Sequence, residues 1–159
     1  MKTKWVYCLG ALIFLFVTGC RYNCCNPPLP PIGVFALKNN VQWKATPAGT
    51  FGADDTMKIT GVGINTDSNL HDTIGFKFKY TGGGSYQIAQ IDPFYHTKTG
   101  NSLPLVYNKI DTAFDNYFRI SEYDPYTRQV TCYFQVKFKS PVDTTTVTFL
   151  NGNLKSPLN

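Results

Sequence analysis

The chain has 159 residues, with 15 Lys plus Arg against 10 Asp plus Glu and a formal net charge of +5. That length is room for one ordinary domain rather than two. So small an excess of cations, which falls further once residues 1–19 are set aside, does not argue for a nucleic-acid partner.

The first twenty residues stand apart from the rest. Lys2 and Lys4 precede an unbroken apolar run over residues 5–17, and the small residues Thr18 and Gly19 follow. That is the layout of a signal-peptide helix, and the run is short of the roughly 20 apolar residues needed to cross about 30 Å of hydrocarbon. The segment Val17-Thr18-Gly19-Cys20 resembles the bacterial lipobox, in which an aliphatic residue and two small ones precede the modified cysteine. Small residues admit the peptidase, and only a thiol can take up the diacylglycerol thioether. Each buried methylene contributes roughly 0.8 kcal/mol and one chain binds only reversibly, so two or more acyl chains on Cys20 make attachment to a membrane lasting.

Loss of residues 1–19 leaves 13 Lys plus Arg and 10 Asp plus Glu, a net +3. Cys8 leaves with the signal, so Cys24, Cys25 and Cys132 remain as an odd set in a disulfide-permissive compartment. Adjacent Cys24 and Cys25 read as further acylation sites or as incidental. A bridge from either to Cys132 is the alternative, and its geometry is not set by sequence.

Next comes Asn26-Pro27-Pro28-Leu29-Pro30-Pro31, which favours polyproline geometry at about 3.1 Å per residue. Residues 20–33 therefore form a lipidated tether able to hold a domain on the order of 40 Å from the lipid, or an arm that packs on it.

Residues 34–159 read as an antiparallel β domain. The mature chain holds ten Phe, nine Tyr, one Trp and sixteen Thr, against one Glu and one Met. Aromatic and β-branched residues suit a pleated, half-buried surface, while good helix formers are scarce. In chain order, strands are expected over 34–38 and 41–45, joined at Asn39-Asn40, where two asparagines tolerate positive φ. Others follow over 57–64, 74–80, 86–91, 103–107, 117–123, 130–139 and 146–150. Alternation puts Ile74, Phe76, Phe78 and Tyr80 on one face, with Lys77 and Lys79 on the other. It puts Val130, Cys132, Phe134, Val136 and Phe138 inside, and Thr131, Tyr133, Gln135, Lys137 and Lys139 outside. Turn signals fall at Gly82-Gly83-Gly84, Asp92-Pro93, Thr99-Gly100-Asn101, Asp124-Pro125 and Asn151-Gly152. The expected fold is all-β, an antiparallel β-sandwich or open barrel of about eight to nine strands. A domain of this size buries about two-thirds of its unfolded surface, enough for a real core.

Several spacings resemble, in order, a family of small Bacteroidota-type envelope lipoproteins whose domain has no assigned function. They are Trp43-Lys44-Ala45, Gly84-Ser85-Tyr86, Ile120-Ser121-Glu122-Tyr123-Asp124, Phe134-Gln135-Val136 and the closing Asn151-Gly152. The resemblance covers residues 35–154. One departure is Cys132, where such proteins often begin the aromatic strand with glycine. The resemblance implies a β-sandwich-like fold and an envelope location, and it carries no catalytic residues across.

Chemistry-bearing residues are sparse. Hydrolysis needs a nucleophile with a base or paired carboxylates, and the chain offers His71, His96 and Glu122 with no serine in a Gly-x-Ser-x-Gly elbow. Asp67, Ser68, Asn69, His71 and Asp72 lack the glycine and bidentate glutamate of a calcium loop and read as a solvated hairpin loop. Gly82-Gly83-Gly84-Ser85 lacks the Lys-Ser or Lys-Thr and helix of a phosphate cradle. The candidate binding face is Lys77, Lys79, Tyr117, Arg119, Tyr123, Tyr133, Lys137 and Lys139, basic and aromatic, suited to an anionic glycan, a lipid headgroup or a partner protein. The competing reading is that outward lysines solvate strands and discourage edge pairing. Trp43, Tyr95, Tyr107 and Tyr126 are the rings available for a neutral-sugar platform.

The expectation is a non-enzymatic binding or structural module of the cell envelope, anchored through acyl chains on Cys20, with no catalytic residue, metal, cofactor or nucleic acid. A carbohydrate-binding accessory lipoprotein is the alternative, and a small envelope hydrolase around His71 or His96 the second. No Asp follows Cys20, and Arg21-Tyr22-Asn23 lacks the acidic cluster that resembles a surface-export signal. The expected location is therefore the outer membrane, facing the periplasm.

Overall fold

The computed structural model describes residues 31–65 and 69–159. Cys20, Cys24, Cys25, Asp67, Ser68 and all of the proline arm except Pro31 lie outside the described residues.

Eleven strands form one antiparallel curled sheet. They are β1 (Gly33–Lys38), β2 (Val41–Phe51), β3 (Thr56–Asn65), β4 (Leu70–Lys79), β5 (Gly84–Tyr86), β6 (Ile91–Thr99), β7 (Leu105–Tyr107), β8 (Lys109–Ile110), β9 (Tyr117–Asp124), β10 (Gln129–Lys139) and β11 (Thr146–Pro157). The spatial order is β5-β9-β10-β11-β1-β2-β3-β4-β6-β7, and β8 also pairs with β10.

Strand β2 makes the curl. Its first half, through Ala45, pairs with β1, and its second half, from Thr46, pairs with β3. One strand thus carries the chain between two halves that fold onto each other as a half-barrel. Their inner faces meet through rings: Phe76 of β4 lies 4.8 Å from Phe118 of β9 and 4.9 Å from Phe134 of β10. Tyr95 of β6 lies 5.3 Å from Phe149 of β11. Tilted and edge-on pairs of this kind stabilise beyond their buried area, so the aromatic-rich composition becomes the glue between halves.

The inward residues of β4 and β10 are those the alternation names. Ile74, Phe76, Phe78, Val130, Cys132, Phe134, Val136 and Phe138 are all buried, and Lys77 and Lys79 are exposed. Asn39 and Asn40 turn the first hairpin with φ of 49° and 66°.

Four expectations are corrected. Residues 46–51 continue β2 despite Pro47 and Gly49; a Cβ on Gly49 would meet Leu158 at 2.5 Å, so the glycine lets the C-terminus close against the strand. The Asp92-Pro93 turn is instead the start of β6. Pro93 lies outside the stretch that β7 pairs, where a missing N–H forfeits no ladder bond on that side. The strand over 86–91 breaks into the end of β5, a 3-10 turn at Ile88–Gln90 and the start of β6, held by the Gln90 N–H donating to the Gln87 carbonyl at 2.8 Å and the Gln87 N–H donating to Gln90 Oε1 at 3.1 Å. Asn151-Gly152 is a β-bulge inside β11, not a turn: between Gly152 and Phe149 that strand has one residue more than β10. Asn151 takes φ 50° there, a left-handed conformation asparagine tolerates.

Candidate functional site

Because successive side chains of a strand point to opposite faces, the register defines what the outer surface carries. On the half built from β5, β9, β10, β11, β1 and β2, one row runs Ser85, Arg119, Tyr133, Asn153, Phe35, Lys44, each cross-strand partner of the next. Beside it, Tyr117 faces Gln135, and Leu37 faces both Leu150 and Gln42. The face is therefore rings and aliphatic carbons set among amides, with a cation near each end. Tyr117 and Tyr133 are 40% and 38% exposed. A groove of about 430 Å³ opens along residues 35–37 of β1 and 42–44 of β2, with Asn151 of the β11 bulge also lining it.

The centre of that row holds an electrostatic defect. Asn153 Oδ1 is buried and has no hydrogen-bond donor among the described residues, although buried acceptors are nearly always satisfied. Its row neighbours on the two sides are Tyr133 and Phe35.

The structure brings together only part of the face expected from sequence. Tyr117, Arg119 and Tyr133 share the outer surface just described. Lys77 and Lys79 belong to β4, in the other half of the sheet, and do not join them. Lys137 and Lys139 do lie in β10, but both ammonium groups bind Asp111, at 3.3 and 3.0 Å. The Lys139 hydrogen bond, aided by the Ala113 N–H, holds the Asp111 carboxyl below the usual carboxylate range.

Tyr123 points inward, contrary to expectation. The register of β9 against β10 slips by one residue between Ile120 and Glu122, so Ser121 is a bulge and reverses the parity after it. The Tyr123 ring packs 5.2 Å from Tyr80 and 5.7 Å from Phe51. Thr131, expected outside, is buried beside the same bulge, and Ser121 Oγ donates to its carbonyl at 3.1 Å.

The four rings available for a sugar platform do not form one. Tyr95 and Tyr107 are core residues, Trp43 turns its edge to Phe149 at 5.3 Å, and Tyr126 stands alone on a turn.

Sequence reasoning also missed the principal buried polar cluster. Asp72 belongs to β4, not to a solvated loop, and faces the interior, where Tyr95 Oη donates to Oδ1 at 2.6 Å and Lys38 Nζ binds Oδ2. The Lys38 ammonium also sits over the Tyr95 ring. Burial first, and the bond to Asp72 second, push the Tyr95 phenol far above its ordinary value. His71, next along the strand, points to the outer face, as does His96, its ring 5.0 Å from Phe94. Cys132 is a free, fully buried thiol whose Sγ lies 3.7 Å from the Leu154 carbonyl. Among the described residues no group of three or more His, Cys, Asp and Glu side chains is placed to hold a metal ion.

No family model, curated protein or solved structure matches the chain. Fold and surface together define an all-β protein, an antiparallel half-barrel with an aromatic-filled interior and one outer face rich in rings and amides.

Proposed function

We propose that the chain is a lipid-anchored lipoprotein of the bacterial cell envelope, akin to the small Bacteroidota-type family it resembles, and that its β domain is a non-enzymatic binding module. The observation that carries the anchor is Val17-Thr18-Gly19-Cys20 closing an apolar run of signal-peptide length. Acyl chains on Cys20 are the membrane partner. Binding is supported by the outer face around Asn153, where the exposed rings of Tyr117 and Tyr133 flank a buried amide oxygen that has no hydrogen-bond partner among the described residues. A non-enzymatic role is supported by the placing of the ionisable groups: the interior carboxylate Asp72 is engaged by Tyr95 and Lys38, and both histidines lie on the outside. The position facing the periplasm rests on the missing acidic cluster after Cys20.

The test is Cys20→Ala. Loss of the lipid mass and transfer of the protein from the membrane to the soluble fraction are expected, and an unchanged lipid-modified mass overturns the anchor. Protease added to intact cells is expected to leave the domain whole; its removal would place the domain on the cell exterior.

A further inference from the structure

We propose that the row Arg119, Tyr133, Asn153, Phe35, Lys44 binds an acidic glycan, a polyhydroxylated chain bearing carboxylates. The proposal rests on the binding-module reading and names the ligand class of the same surface.

Three observations converge on that chemistry. The first is the order ring, amide, ring. Tyr133, Asn153 and Phe35 are consecutive partners across three strands, and strands lie about 4.8 Å apart, so the two rings bracket the amide over roughly 10 Å. A sugar offers C–H groups on its faces for the rings and hydroxyls on its rim for the amide. A hydrocarbon chain offers only the first.

The second is the orphan acceptor. Asn153 Oδ1 lacks a donor among the described residues, and a hydroxyl is a donor small enough to serve it. Because that oxygen is buried, engaging it requires its row neighbour Tyr133, 38% exposed, to turn aside when the ligand binds. The neighbouring amides of Gln42 and Asn151, along the groove of about 430 Å³, extend hydrogen-bonding capacity in the direction of Lys44.

The third is charge. Arg119 lies one strand beyond Tyr133 and Lys44 one strand beyond Phe35; the row and the one beside it through Tyr117, Gln135, Leu150, Leu37 and Gln42 contain no carboxylate, and the row on the other side, Glu122, Thr131 and Lys155, carries one carboxylate and one further cation. A cation at each end of an amide-lined track complements carboxylates spaced along a polymer, and Arg119 can hold one bidentately.

The test uses the full protein, purified in detergent from membranes, or from the soluble fraction should Cys20 carry no lipid. Retention is measured on immobilised polygalacturonate and alginate, with dextran and polyglutamate as the neutral and the hydroxyl-free anionic controls. Retention by a uronate polymer is expected to exceed that by either control. Tyr133→Ala and Arg119→Ala should each weaken it by roughly tenfold, the loss of one stacking or charged contact. Asn153→Asp, which sets a negative charge at the centre, should abolish it. Lys77→Ala, in the other half of the sheet, should leave it unchanged, and circular dichroism confirms that each variant is folded. No retention by either uronate polymer, equal retention by dextran or polyglutamate, or equal weakening by Lys77→Ala overturns the proposal. Failure of the anchor reading shows separately, as a missing lipid mass.

Discussion

Tyr95 Oη donates to Asp72 Oδ1 at 2.6 Å inside the half-barrel, while Lys38 binds the other carboxylate oxygen. The three residues come from β6, β4 and β1, so the cluster ties both halves of the curl at one end. Breaking a buried pair by removing one partner leaves an uncompensated charge and costs about 3–5 kcal/mol, whereas replacing both with apolar groups is often near neutral. Asp72→Ala is expected to fall in that range by urea unfolding. The double variant Lys38→Met with Asp72→Leu should recover most of the loss. Wild-type stability in Asp72→Ala would mean the cluster contributes nothing.

The same phenol gives the protein an alkaline limit. Its proton is held more tightly folded than unfolded, because burial and the Asp72 bond raise its pKa; burial raises the Cys132 thiol likewise. A raised folded pKa contributes stability that is fully present below the unfolded value and lost as pH climbs above it. Unfolded thiols and phenols titrate near pH 8.5 and about 10 respectively. Unfolding free energy should therefore hold steady through neutral pH and decline above about pH 9. Tyr95→Phe combined with Cys132→Ala should flatten that decline. A slope identical to wild type above pH 10 would contradict the assignment.

Cys132 also makes a chemical prediction. A thiol with no exposed surface, in the core beside Leu154, and with its thiolate disfavoured by burial, reacts slowly. Alkylation of the native protein under reducing conditions should leave Cys132 unmodified by peptide mass mapping, and modification should appear only as urea unfolds the domain. Rapid labelling of Cys132 in the native state would show that the core opens around β10.

The in-and-out pattern of β4 and β10 was legible because a run such as Val130 to Phe138 alternates without interruption, its inward residues are buried, and Phe134 and Phe138 meet Phe76 and Tyr95 of the opposite half. Two kinds of information were not legible. Bulges invert parity without a local signature strong enough to see: Ser121 sends Tyr123 inward, and Asn151-Gly152 reads from sequence as a turn because the same positive φ serves both uses. Strand order is the other. Alternation puts Lys77 and Arg119 on outward faces, but only the pairing of β9 with β10 and of β4 with β3 shows that they occupy different halves. The Asn153 row was invisible for that reason, since each of its members comes from a different strand and none carries a motif.

The glycines of the curl distinguish a rigid core from a movable surface, and this yields the last prediction. A Cβ on Gly152 would stand 2.5 Å from the ring of Phe134, which is wholly buried. That ring is wedged 4.9 Å from Phe76 and has nowhere to move, so overpacking should cost about 1–3 kcal/mol or more in Gly152→Ala. A Cβ on Gly75 would come still closer to Phe94, at 2.2 Å. Phe94, however, lies on the outer face of β6, half-buried, under the Lys58 ammonium, and can swing into solvent. Despite the shorter distance, Gly75→Ala is therefore expected to be the milder change, losing only the packing of the ring on the sheet. Asn151→Val, which forces a β-branched residue to φ 50°, should destabilise while Asn151→Gly is tolerated. Thermal unfolding of the four variants ranks them directly. If Gly75→Ala proves worse than Gly152→Ala, the freedom assigned to Phe94 is wrong and the outer face of β6 is held more tightly than its exposure indicates.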